Sequence, residues 1–441
     1  MVKSRSIRPQ NFPEAVVWYY IIGTYGIYLL GAHYFLTAFM GSVLLFYLLR
    51  KWWRQTDATP ESARIAIAPV AWAWLVAMLI VELALVVGHF NYDLSIPQII
   101  KSSSHWFRTW AIFAIFPLVG HLNIRPQIIY RAICILCLQG IILVCLGTIT
   151  SLANVPQLSY VSPLIVSGGD IEHYEVIVIQ NVIGDRLHLF APWETALGMA
   201  ANIYFLFACQ EKNKIWRWIG ITGSILTIVL SYSRLAIVCL PFVFVFVWFL
   251  TNFLRPWVQL SSSVLCFVGG LVAVNIINGI EWFERTVNSI RKDSSSSSRT
   301  RGLIYDMTLD KWRNEAPIWG HALNAEKGPG ALAHMPIGSH QTWYGMLYTH
   351  GLVGFIPFIL VMVWSFIDLL IKAQQDTEAR LALSILIVIV LSSFTDNIQL
   401  FAYMYWAGLL TIGIVWRKYA RNRDRARRQV DSSRQMQSFY N

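Results

Sequence analysis

Charged residues are scarce in this chain. Only 13% of its 441 residues are Asp, Glu, Lys or Arg, against 56% hydrophobic, where a soluble globular domain carries about a quarter charged residues. That shortage excludes an ordinary soluble domain. Cysteine is scarce too, and Cys134, Cys137, Cys145, Cys209, Cys239 and Cys266 all fall inside apolar runs. They read as small core residues, with neither a disulfide framework nor a thiolate metal site in an aqueous loop. No GxxxxGK[ST], HExxH or GxSxG pattern occurs, which removes P-loop, zinc-peptidase and nucleophile-elbow chemistry.

What the chain has instead is apolar length. About twelve runs of roughly 17 to 25 residues, the length that crosses about 30 Å of hydrocarbon as a helix, centre near residues 23, 42, 77, 112, 138, 201, 224, 243, 268, 363, 387 and 409. The expected fold class is an all-α polytopic membrane protein with about twelve transmembrane helices. The net charge of +11 is spread along these runs and is no nucleic-acid patch. Arg50, Lys51, Arg54 and Arg64 follow the second run, Arg125 and Arg131 the fourth, Lys212, Lys214 and Arg217 the sixth, Lys372 and Arg380 the tenth. Every second connection is basic, so both termini are expected in the cytoplasm. The basic start leads into about 35 nearly continuous apolar residues, and no cleavable signal peptide is expected. The expected division is residues 1–279 with spans one to nine, including an outer loop at 150–193; 280–351 as a large outer loop; 352–417 with spans ten to twelve; and 418–441 as a basic cytoplasmic tail. A shorter outer connection covers about residues 89–105.

Loops over a rigid scaffold carry most chemistry, so function is expected on the outer face. The longest loop is rich in basic residues on the side where they are normally scarce, and acidic neighbours balance most of them. Ser294 to Ser298 read as a flexible linker. The following "RTRGLIYDMTLDKW" reads as a helix with Leu303 and Met307, and with them Tyr305 and Leu309, covering apolar surface. Arg234 in "LSYSRLAIV" and Arg186 in "GDRLHLFAPWE" stand alone at the expected membrane boundary, where an ionisable side chain is either functional or paired. Arginine is always charged and offers a planar fork of donors suited to phosphate. Arg186, Arg234, Arg299 and Arg301 are therefore candidates for a lipid-linked phosphate or diphosphate. Anchoring to lipid headgroups is the competing reading.

In "SHQTWYGMLYTHGLVGF", Ser339 reads as an N-cap, His340 as the first residue of an outer helix, and Gly351 as its end. The positive end of the helix dipole disfavours imidazolium, so His340 is a candidate general base; a satisfied interfacial histidine is the alternative. His350 reads as structural. Asp170, Glu172, His173 and Glu175 in "GGDIEHYE" have the donors for a divalent cation, but a solvated loop is the preferred reading and no metal site is assigned.

Three of these stretches carry a resemblance. His340-Gln341, nine residues, then Gly351-Leu352-Val353-Gly354 resembles the H-[NSQ]-x9-G-x-x-G pattern of bacterial O-antigen ligases, the WaaL family. Arg299-Thr300-Arg301-Gly302-Leu303 resembles that family's R-x3-L motif. "DKWRNEAPIWGHAL" is similar to the segment preceding the catalytic histidine in the wider ligase and polymerase superfamily. The resemblance implies a GT-C-like fold in the bacterial inner membrane, with a large periplasmic loop between spans nine and ten. The implied activity is a metal-independent inverting glycosyltransferase without a cofactor, which moves O-antigen from undecaprenyl diphosphate onto lipid A-core. It implies His340 as base, Arg186 and Arg299 as catalytic charges, and Arg301, Arg234, Gln341, Trp343 and Tyr344 as substrate-binding residues.

An O-antigen polymerase uses the same donor and stays open as an alternative, as does a protein O-oligosaccharyltransferase. A transporter of lipid-linked glycans is the non-enzymatic alternative. It is expected to show internal repeats and more charge at mid-membrane than the single Glu82 in "LIVELAL".

Overall fold

Backbone polar groups in hydrocarbon must be satisfied within the segment, and apolar runs accordingly form helices. The computed structural model describes residues 7–440 apart from 57, 61–62, 184–185, 254, 272–294, 324–325 and 331–334. In chain order the helices are α1 (Phe12–Ile22), α2 (Thr24–Leu29), α3 (His33–Trp53), α4 (Pro69–Asn91), α5 (Ile96–Arg108), α6 (Ile112–Val119), α7 (Pro126–Leu152), α8 (Glu194–Cys209), α9 (Lys214–Leu230), α10 (Arg234–Asn252), α11 (Pro256–Leu271), α12 (Ser295–Glu315), α13 (Thr342–Ala373), α14 (Thr377–Ser393) and α15 (Ala402–Tyr440). Among the described residues, six segments are long and apolar enough to cross a membrane: His33–Trp53, Pro69–Asn91, Pro126–Leu152, Arg234–Asn252, Thr342–Ala373 and Ile398–Ala426. The chain is a multi-pass membrane protein.

Shorter helices carry the other apolar runs. The run expected near residue 23 is split at Gly23, between α1 and α2. The run near residue 112 is also broken: α5 ends at Arg108, and the eight residues of α6 are all buried. α6 packs against α15, α3 and α4 and forms the centre of the molecule. The all-helical expectation needs one addition, because the loop after α7 holds an antiparallel pair, β1 (Leu158–Val161) and β2 (Glu175–Ile179), with Tyr160 opposite Val176. β-Branched and aromatic residues in "LSYV" and "EVIVI" suit that geometry.

Ion pairs tie together the basic connections expected in the cytoplasm. Arg131 and Glu211 form a buried two-pronged pair at 2.9 and 3.1 Å, and Arg125 grips Glu14 at 2.7 Å. Lys418 on α15 bridges Asp376 and Glu378, at 2.7 and 3.1 Å.

α13 is interrupted at Gly351, where φ is 57° and ψ is −162°. Its outer segment, Thr342 to His350, is thereby set off from the span that begins at Leu352. The backbone groups released at the break are bonded to the segment 317–322. His321 N–H donates to Tyr348 O at 2.7 Å and Ala322 N–H to Thr349 O at 3.0 Å, while Leu352 and Val353 N–H donate to Pro317 O and Ile318 O at 3.0 and 3.1 Å. Gly320, also left-handed with φ 74°, makes the reciprocal approach: a Cβ there would lie 2.5 Å from His350 N. Both glycines are needed because two backbones touch.

Candidate functional site

α12 rests on the loop that leads into α13. Ile304 and Thr308, one turn apart, are its buried residues among those described. The Thr308 hydroxyl oxygen accepts from Gly338 N–H at 3.0 Å. Between them, the Tyr305 hydroxyl donates to the His340 carbonyl at 3.1 Å, and the Tyr305 and Tyr344 rings lie 5.4 Å apart. The expected helix therefore exists, but it starts within the serine run and buries Ile304, while Leu303 is exposed. The serines from Ser295 on are its first turn and not a linker. Arg301 precedes Tyr305 by one turn and shares its side of the helix.

The histidine loop also corrects its expected form. α13 begins at Thr342 with Gln341 in the N-cap position, and His340 lies outside the helix with φ 66°. Ser339 is no cap, since its hydroxyl donates to Pro336 O at 2.6 Å. The loop from Gly338 to Gln341 has to turn sharply to meet Tyr305 and Thr308, and a left-handed residue at His340 supplies that turn. At the helix start, the Thr342 hydroxyl donates to Asp396 O at 2.7 Å and accepts from Ile398 N–H at 3.0 Å. This latches α13 onto the turn after α14.

That turn carries a residue the sequence did not reveal. Asp396 is 9% exposed. Burial pushes its carboxyl up to about 7, while the Arg301 charge and the hydroxyls of Thr195 and Thr395 pull it back down. Thr195 adjoins Glu194 at the start of α8, and Glu194 receives Arg186 at 2.5 Å. His188 reaches the other oxygen of that carboxylate at 3.8 Å. Leu187 N–H donates to Leu230 O at 3.0 Å, which draws the Arg186 loop against the turn before Arg234. Stretches at 186–195, 230–234, 301–308, 338–344 and 395–398 thus meet on one end of the helical body. The available signal for Asp396 was its place: an acid in "SFTDN", the short outer turn between two apolar runs.

The candidates divide as follows. Arg186 is exposed and paired, Arg301 faces the buried Asp396, and Arg234 is exposed as the first residue of α10. Arg299 lies on the first turns of α12, with its side chain outside the described residues. The Gln341 side-chain oxygen is buried without a partner among the described residues. The Trp343 ring sits among Phe355, Phe358 and Phe394 at 5.6 to 6.2 Å, and Tyr344 is half-buried beside Tyr305. His350 is buried, with Nδ1 2.6 Å from the Thr349 hydroxyl and its ring edge-on to Trp110. His173 is buried against Tyr34, Trp193 and Tyr403, and its Nε2 lies 3.1 Å from Leu400 O. Asp170, Glu172 and Glu175 are exposed. Among the described residues, no three His, Cys, Asp or Glu side chains come together as a ligand set.

This arrangement puts the Arg301 charge within reach of a buried carboxyl whose proton is held up to about 7. A comparison with curated proteins finds no match. Residues 219–359 match the family model described as O-antigen ligase, a stretch that contains Arg234, the whole of α12, the histidine loop and the break in α13. By that match, this stretch is similar to the O-antigen ligase family.

Proposed function

We propose that this protein is a bacterial inner-membrane glycosyltransferase that transfers O-antigen from undecaprenyl diphosphate to a sugar of lipid A-core, with its site on the periplasmic side. The family matched acts on O-antigen, which supports a ligase- or polymerase-type enzyme. The observation that supports the reading is the meeting of α12 with the histidine loop through Tyr305 and the His340 carbonyl, one helical turn from Arg301.

The reaction breaks the bond between the anomeric carbon and the diphosphate oxygen, while an acceptor hydroxyl oxygen bonds to that carbon from the opposite face. The leaving diphosphate keeps the electron pair, so it needs fixed positive charge more than a proton. Arg301 and Arg186, with Arg299 and Arg234, are assigned that role. The acceptor proton goes to a base, assigned to His340, with Gln341 orienting the acceptor. A second reading gives this proton to Asp396, favoured by its burial and by a carboxyl lifted to about 7.

Substitution separates the two. His340→Ala is expected to keep donor binding but to lower transfer by about 10² to 10⁴, and to abolish the rise of rate with pH near the imidazole range of about 6.5. If that limb persists in His340→Ala and vanishes in Asp396→Asn, the base is Asp396. Ligase and polymerase are told apart by the lipopolysaccharide of a deletion strain. Complete loss of O-antigen with accumulated lipid-linked polymer is the ligase result; a core bearing one repeat is the polymerase result.

A further inference from the structure

α5 occupies the connection expected as a short outer loop, and its surface divides into three sectors. At about 100° per residue, Ile96, Ile100 and Phe107 share one side, and they are 70%, 64% and 40% exposed. Lys101 and Ser104 form a second exposed side, a quarter-turn away. The third side faces the protein: Ser102 lies 3.0 Å from His89 Nε2 on α4 and His105 Nδ1 lies 3.0 Å from the Tyr34 hydroxyl, while Ser103, next to Ile96 at the border of the apolar side, bonds Glu82. Arg108 closes the helix with 4% exposure. It donates to Gly168 O at 2.7 Å and Ser167 O at 2.8 Å, clasping the loop between β1 and β2.

These partners fix the depth. Glu82 precedes the end of α4 by nine residues, about 13 Å by helical rise, so α5 lies alongside the outer half of a membrane-crossing helix. α4 itself leaves Leu79, Leu83 and Phe90 exposed on one stripe, as a helix that faces lipid does. Three large apolar side chains bordered by a lysine, on a helix of 13 residues, have the pattern of a segment seated at the acyl–headgroup boundary.

We infer that α5 is embedded in the outer leaflet, with Ile96, Ile100 and Phe107 against phospholipid acyl chains and Lys101 directed to an anionic headgroup. This holds whichever reaction the protein performs. The test places a photo-crosslinking benzophenone amino acid at Ile96, Ile100 and Phe107 of the full chain in its own membranes. Leu83 on the face of α4 serves as the lipid reference and Lys327, exposed in the loop before α13, as the aqueous one. Mass spectrometry is expected to find phospholipid adducts at the three α5 positions as strongly as at Leu83, and far above Lys327. Adduct yields like those of Lys327 would overturn the assignment. Should the bulky residue impair folding, Ile100→Cys gives the same decision: slow reaction with a membrane-impermeant maleimide supports embedding, and reaction as fast as Lys327→Cys refutes it.

Discussion

Asp396 stores a pH dependence of stability that can be measured without any substrate. Its carboxyl titrates near 7 in the folded protein because burial disfavours the anion, and near 3.9 when unfolded. The folded state therefore favours the protonated form. The resulting stability is complete below about pH 4 and is lost as pH rises through 7. Asp396→Asn should remove that loss and raise the melting temperature at pH 8 while changing it little at pH 4. The ceiling is about 4 kcal/mol for the full shift, and an unchanged melting curve at pH 8 would contradict the burial account. For Arg301, removing a preorganised donor should cost about 2 to 4 kcal/mol of transition-state stabilisation, read as kcat/KM of Arg301→Ala. Arg301→Lys should rescue little, because a point charge cannot reproduce the fork. Arg186 differs, since its ion pair is largely exposed and such pairs contribute about 1 kcal/mol or less to stability. Arg186→Ala should therefore leave the melting temperature almost unchanged, and any loss of transfer would then report on substrate.

At the scale of elements, α12 reaches the His340 carbonyl through one hydroxyl. Tyr305→Phe deletes the bond to the His340 carbonyl, a contact with a net worth of about 0.5 to 1.5 kcal/mol. It should lower kcat more than it raises KM, because the histidine loop is misplaced while the arginines stay. An unchanged kcat would mean that the loop is held by its Thr308 contact alone. Much of this layer was legible in the chain. α12 follows from the apolar spacing in "RTRGLIYDMTLDKW", and Gly351 does interrupt the helix after the outer segment. Its inward face was misjudged because Leu303 is the more apolar residue, yet tertiary contact selected Ile304 and Thr308. The left-handed turn at His340 was hidden because it depends on where α12 sits. Asp396 was hidden because the groups that act on it, Thr195 on α8 and Arg301 on α12, are distant in sequence. α5 was hidden because serines, a histidine and an arginine on its protein-facing side made it read as a loop.

For the whole molecule, the proposed chemistry needs only side-chain charge, so purified enzyme should keep its transfer activity in excess EDTA. Activity lost to chelation and restored by magnesium or manganese would bring the exposed carboxylates near Asp170 back into the mechanism. The join at Gly351 also governs the order of assembly. The ribosome delivers residues 317–322 well before Leu352 enters the translocon, yet their backbone partners, Tyr348, Thr349, Leu352 and Val353, do not exist until α13 is made. The loop must therefore wait unsealed, on the periplasmic side in the proposed topology, while the following span inserts, and it closes only afterwards. A methyl group at Gly351 would meet Ile318 O at 2.2 Å, so Gly351→Ala should insert normally but stay trapped at that waiting stage. Its signature would be periplasmic proteolysis between α12 and α13 that persists long after synthesis, in a chain whose spans have all reached the membrane.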